Sequence, residues 1–210
     1  VYLYAEPSRP KTRDYVKSAM KVIAANVQAI ADEIDYSEVK ALVSDILSAH
    51  QNQKRLFVMG AGRSGLVVKG FAMRLMHLGF NVYVVGETVT PAVETDDLLI
   101  VISGSGETKS INEMSALAKA KGTRLAAVSS NKDSSLGSIS DTIVVVKGRT
   151  KTSGMDFMER QVVGSHISFA PLGTMFEIST MVFLDGIIAA LMEITKKSED
   201  DLKKKHATLE

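Results

Sequence analysis

Two short stretches of this chain combine residue types that suit anion chemistry. One is Ser103-Gly104-Ser105-Gly106-Glu107-Thr108, the other Gly60-Ala61-Gly62-Arg63-Ser64-Gly65. Each follows an apolar run and precedes a stretch with helical spacing. Glycine lets backbone N–H groups come close to a ligand. A helix N-terminus adds about half a positive charge, and serine and threonine hydroxyls turn to meet tetrahedral oxygens. A monophosphate fits that inventory, with Ser103, Gly104, Ser105, Gly106 and Thr108 as its grip and Gly62 and Ser64 as the opposite wall. Two alternatives use the same residues. A tight turn closed by an N-cap favours Ser, Gly and Thr. Gly60, Gly62 and Gly65 also match the G-x-G-x-x-G of a dinucleotide site, with Glu87 beyond the next strand as a ribose-binding acid. That alternative is a nicotinamide-dependent oxidoreductase. Neither loop continues into the Gly-Lys-Ser or Gly-Lys-Thr of a P-loop nucleotide hydrolase.

A second kind of chemistry rests on Glu177. It is the sole acid between Ser165 and Leu184. A carboxylate in such an apolar stretch is costly unless it faces a cleft or a partner, and desolvation would raise its pKa. A buried ion pair or an exposed helix position is the alternative. Asp185 is a rival, read as structural. Among the four histidines, His166 is a candidate acid–base group, while His50 and His77 end helices and are expected to face solvent. Arg63, Lys109, Arg149 and Lys151 rank as surface charge near the phosphate.

Composition narrows the setting. The chain has 210 residues, 45% hydrophobic and 23% charged, enough for an ordinary globular core. A net charge of +1 advertises neither nucleic acid nor an anionic membrane as partner. There are no cysteines, which removes disulfides, thiolate metal sites and cysteine nucleophiles and fits a cytoplasmic protein. No apolar run is expected to approach the roughly 18 residues of a membrane helix, and no secretory signal is expected. No metal or cofactor is expected.

The elements that must position these residues follow from periodicity. Thr12–Ile34 has helical spacing. A second helix follows, with Ser37 as its expected cap. Then apolar runs alternate with helical stretches: RLFVMG, NVYVVG, DLLIVIS, RLAAVSS and DTIVVVKG as strands, with helices from Gly65 to a glycine stop at Gly79 and from Ser110 to Gly122. Strands apolar on both faces imply a parallel sheet covered on both sides. The expectation is a doubly wound α/β sandwich of five strands in the flavodoxin-like order 2-1-3-4-5. That order places the Gly60–Gly65 and Ser103–Thr108 loops across one crevice at the switch point. Residues 1–11 are expected to be a disordered arm or an appended remnant, and 12–210 one domain. The stretch after Lys147 is expected to hold a short helix near Met155–Val163. A long helix, apolar on nearly all sides, follows for a core or a subunit interface, and then a last helix capped by Ser198.

The paired GAGRSG and SGSGET loops resemble the sugar isomerase (SIS) domain, over about Ser37 to Lys196. More narrowly, GRTK, PLGTMFE with FLDGIIA, and the terminal HATLE resemble 6-phospho-3-hexuloisomerase. The resemblance implies interconversion of D-arabino-hex-3-ulose 6-phosphate and fructose 6-phosphate through a 2,3-enediol, in formaldehyde fixation by the ribulose monophosphate route or its reverse. It implies a single SIS domain with added terminal helices and a homo-oligomer, often a tetramer, with sites near subunit interfaces. CBS repeats and a DNA-binding domain, which other SIS proteins carry, have no counterpart here. It also implies that the SGSGET hydroxyls bind phosphate and that Glu177 is the base. His206, with Glu210 four residues on, is the implied second acid–base group, reaching the site of a neighbouring subunit. A non-catalytic phosphosugar sensor, with the same two loops, is a further alternative.

Overall fold

The computed structural model describes residues 12–148 and 173–205. The proposed arm at 1–11, the helix expected near Met155–Val163, and Arg149, Lys151, His166, His206 and Glu210 lie outside them. The order of elements is α1 (Thr12–Glu33), α2 (Tyr36–Gln51), β1 (Leu56–Gly60), α3 (Arg63–Leu78), β2 (Val82–Val84), β3 (Leu98–Ile102), α4 (Lys109–Ala120), β4 (Arg124–Ser129), α5 (Ser135–Ile139), β5 (Thr142–Val145), α6 (Thr174–Thr195) and α7 (Glu199–Lys203).

The five strands form one parallel sheet in the order β2-β1-β3-β4-β5. The central β3, Leu-Leu-Ile-Val-Ile, is buried at every position. Both of its faces meet helices, and its continuous β-branched and leucine run suits that double burial. The edges differ from the expectation of strands buried on both faces. β2 is half-buried throughout, and β5 alternates buried and half-buried. A strand paired on one side only has less to cover it.

Helices lie on both faces. Leu42, Ile46, Phe71, Leu75, Phe176, Leu184 and Leu191 from α2, α3 and α6 pack on one face. Ile111, Ala118 and Leu136 from α4 and α5 pack on the other, against Phe57, Leu99 and Leu125.

Several local details depart from the sequence expectations. Asp35, not Ser37, caps α2: its carboxylate accepts from the Ser37 N–H at 2.8 Å and from the Ser37 hydroxyl at 2.6 Å. Asp35 has the extended backbone that a cap needs, and Ser37 already lies inside the helix. His77 is buried, at 3% exposure, rather than solvent-facing. α7 folds back onto α3, and Lys205 reaches Gly79 at the end of α3, so that end is covered. His50 is exposed as expected, with its ring 4.4 Å from that of Phe80. The five-residue α5 was not expected, because one turn carries no readable period. Gly79 and Ser198 cap as expected, Ser198 in a reciprocal capping box with Asp201.

α6 is long and apolar enough to cross a bilayer by length and composition, contrary to the sequence expectation. A search for uninterrupted runs misses it because Glu177, Asp185 and Glu193 punctuate it. Its inner face is buried against α1 and α3, while Met181, Val182 and Ile194 are exposed.

Candidate functional site

The site lies at the carboxyl edge of the sheet, where β1 and β3 run side by side. Gly60, the last residue of β1, pairs with Ile102, the last of β3. The two glycine loops therefore start one strand spacing apart, about 4.8 Å. The chain winds to one side of the sheet after β1 and to the other after β3. This is the switch point at which doubly wound sheets hold ligands.

The first loop turns directly into α3. A Cβ on Gly60 would lie 2.9 Å from the backbone of Ser64, and one on Gly65 2.9 Å from the Gly60 carbonyl oxygen. Strand end and helix start touch, and only glycine allows it. Gly62 is the N-cap of α3 with φ of 57°, open to solvent, and Ser64 is half-buried in the first turn. Packing therefore accounts for two of the three glycines of the dinucleotide-like signature. Glu87 is exposed and paired with Lys69 at 2.6 Å.

In the second loop the Gly104 and Gly106 carbonyls are both taken up by the protein. The Gly104 carbonyl accepts from the Ser130 N–H at 3.0 Å and from the Ser129 and Ser130 hydroxyls. The Gly106 carbonyl accepts from the Leu136 N–H and from the Asn112 side-chain amide, both at 3.0 Å. The N–H groups of Gly104, Ser105 and Thr108 have no partner among the described residues. Gly106 differs from the sequence expectation of a free backbone donor: its N–H donates to the Ser103 carbonyl at 3.1 Å. Its contribution is shape, since φ is 69° and a Cβ there would lie 2.0 Å from the Ser134 Oγ.

The three hydroxyls are used unequally by the turn. Thr108 occupies the N-cap of α4 yet makes no side-chain cap bond. Ser105 accepts from the Glu107 N–H at 3.2 Å, which leaves its own proton to give. Among the described residues, none of Ser103, Ser105 and Thr108 donates a hydroxyl hydrogen bond to the protein. The turn thus uses the Ser105 oxygen as an acceptor, while the Ser103 and Thr108 hydroxyls make no bond that holds it together.

Glu107 ties this loop to α5. Its carboxylate accepts from the Ser135 hydroxyl at 2.6 Å and from the Ser135 N–H at 2.8 Å. These bonds, the hydroxyl's first, hold the Glu107 carboxyl below its usual range. The folded state thus favours the ionised form. The tie is complete above the ordinary glutamate pKa and is lost as pH falls through the lowered folded value. Thermal melts of the wild type and of Glu107→Gln should therefore differ near neutrality and converge as the pH is taken below the glutamate range. A constant gap across pH would sever Glu107 from this role.

The start of α6 lies beside the first loop. Glu177 is in its first turn, where the helix dipole favours a carboxylate. Gly173 caps the helix with φ of 89°, and a Cβ there would sit 3.1 Å from the Glu177 Oε1. Gly148, past the end of β5, meets the Phe176 backbone, where a Cβ would lie 2.6 Å from Cα. These two glycines let the start of α6 lie over the carboxyl edge. The Glu177 side chain is 14% exposed, and its Oε2 accepts a hydrogen bond from the Arg63 Nε, 114 residues away in sequence. The ion-pair alternative for Glu177 is thus realised, at the mouth of the crevice. Sequence reasoning ranked Arg63 as surface charge, and no local pattern announces the pairing. Asp185 is exposed on the outer side of the same helix, and Lys109 is exposed beside Glu113. No group of three or more His, Asp or Glu able to hold a metal occurs among the described residues.

Comparison with known proteins agrees with this fold. The SIS domain family matches residues 51–163. An uncharacterized protein of Aeropyrum pernix is 47% identical, over 93% of this chain and 92% of its own. The 3-hexulose-6-phosphate isomerase of Bacillus subtilis is 39% identical, over 95% of this chain and 100% of its own. A crystal structure from Methanococcus jannaschii, from which a molecular function of 3-hexulose-6-phosphate isomerase was inferred, superposes with a TM-score of 0.73 at 31% identity, over 94% of this chain and 99% of that one. With a sheet order, a family match and full-length relatives all in agreement, the chain belongs to the SIS domain family.

Proposed function

We propose that this chain is an isomerase that interconverts D-arabino-hex-3-ulose 6-phosphate and fructose 6-phosphate. The full-length relatives that bear the name 3-hexulose-6-phosphate isomerase support the substrate. What supports the mechanism is a Glu177 held by Arg63 at the Gly60–Gly65 loop, one strand spacing from a loop whose hydroxyl donors are unspent among the described residues.

The phosphate is held by the hydroxyls of Ser103, Ser105 and Thr108 and by the N–H groups at the start of α4, with Gly62 and Ser64 on the other wall. Anchoring it fixes the reach of the carbon chain toward Glu177. The Glu177 carboxylate takes the proton from C2. The C–H electron pair forms a C2=C3 double bond, and the former carbonyl pair moves to O3. Returning a proton to C3 and transferring the O2 proton leaves the carbonyl at C2. No electron leaves the substrate, so no redox cofactor is needed. His206 is assigned the second acid–base role. The exposed apolar residues Val16 and Met20 of α1 and Met181 and Val182 of α6 support a homo-oligomer, proposed as a tetramer, acting in the cytoplasm.

A coupled assay for fructose 6-phosphate formed from hex-3-ulose 6-phosphate tests the reading; no turnover by the wild type would reject it. Ser105→Ala should act on affinity. Losing one charge-assisted hydrogen bond costs about 1.5–3 kcal/mol, so KM should rise roughly ten- to a hundredfold with kcat nearly kept. An unchanged KM would remove Ser105 from the grip.

A further inference from the structure

Carbonyl transfer needs a third group besides an anchor and a base: a donor for the oxygen that gains charge. Resting on the isomerase reading above, we propose that Arg63 is that donor, a catalytic residue that binds the enediolate oxygen while its Nε holds the base in place.

A guanidinium has five N–H donors in a fixed planar fork. Arg63 uses one: the Nε–H donates to Glu177. Its terminal N–H groups make no hydrogen bond among the described residues. The Arg63 side chain is 59% exposed and that of Glu177 14%, so the fork stays largely open while the carboxylate it holds is mostly covered. Position follows from backbone: Arg63 is the first residue of α3, set by the Gly60–Gly65 contact, and Glu177 is in the first turn of α6.

This arrangement matches the reaction. When Glu177 takes the proton from C2, negative charge develops on O3, on the carbon next door. A donor for that oxygen must sit beside the base, not at the far end with the phosphate. A rigid fork anchored through Nε places two more N–H-bearing nitrogens there. No proton leaves Arg63; it supplies hydrogen bonds and charge where the oxyanion forms.

Arg63→Ala and Arg63→Lys separate this role from phosphate binding. The readouts are kcat, KM and the inhibition constant of inorganic phosphate. Loss of an oxyanion donor costs about 10²–10³-fold in kcat. Arg63→Ala should show that loss, with the phosphate inhibition constant little changed and with partial rescue by added methylguanidinium. Arg63→Lys keeps the charge and the pairing but not the fork, so it should retain the wild-type melting temperature and still lose kcat; it decides the matter if Arg63→Ala fails to fold. Retained kcat in Arg63→Lys, or a weakened phosphate constant with kcat intact, overturns the proposal. A wild type that binds inorganic phosphate but turns over no hex-3-ulose 6-phosphate rejects the isomerase reading, and this proposal with it.

Discussion

Glu177→Gln should lower kcat by about 10²-fold or more while leaving phosphosugar binding largely intact, because a positioned base contributes on the order of 10²–10⁴. The amide is nearly isosteric, so the start of α6 and the close approach of Gly173 are preserved. What changes is chemistry. An amide cannot take a C–H proton, and its oxygen can accept from Arg63 but brings no opposite charge. The anchor is built from other elements, β3, α4 and α5, so it does not depend on Glu177. Turnover and binding should therefore separate cleanly: kcat from the fructose 6-phosphate assay, and binding from the thermal shift that inorganic phosphate produces. Full turnover would dismiss Glu177 as the base and favour His166 or His206. A phosphosugar sensor makes a different forecast, since neither Glu177→Gln nor the wild type would show turnover while both bound phosphosugar.

What could be read in advance follows the range of the interactions. Strand order was legible because interior strands in a doubly wound sheet are continuous apolar runs, as Leu98–Ile102 is, and because helices separate them. The crevice followed from that order. The hydroxyl loop was legible as a set of residue types, but its internal division was not. That Gly106 spends its N–H on Ser103, whereas Thr108 leaves its hydroxyl free, depends on bonds to Val128, Ser130 and Leu136, which are 25 to 30 positions away. Glu177 stood out because a lone acid in an apolar stretch is conspicuous. Its partner did not, because Arg63 is one of 25 Lys and Arg residues and meets Glu177 only through the fold. The cap at Asp35 shows a smaller version of the same limit: two capping residue types two positions apart, Asp35 and Ser37, with the backbone angle deciding between them.

Gly106→Ala should be the most damaging single change in the phosphate loop, on stability and on binding together. Two penalties coincide there. The φ of 69° strains any side-chain-bearing residue, at about 1–2 kcal/mol, and the added methyl enters a filled space, at about 1–3 kcal/mol more. The atom it meets cannot swing aside cheaply. Ser134 is 1% exposed, caps α5 by accepting from the Gly137 N–H at 3.2 Å, and donates to the Asn131 carbonyl at 2.8 Å. The loop must move instead. Its movement would break the bonds that take up the Gly104 and Gly106 carbonyls, and with them the aim of the free N–H groups. Phosphate affinity should fall along with the melting temperature, unlike in Ser105→Ala, where affinity falls and the fold is kept. Truncating the obstacle separates the two penalties. In the double variant Gly106→Ala with Ser134→Gly, the steric part should return and the strain part should not. The two substitutions then couple favourably, as contacting residues do. If the double variant is no better than the sum of its parts, the contact with Ser134 is not what demands glycine at position 106.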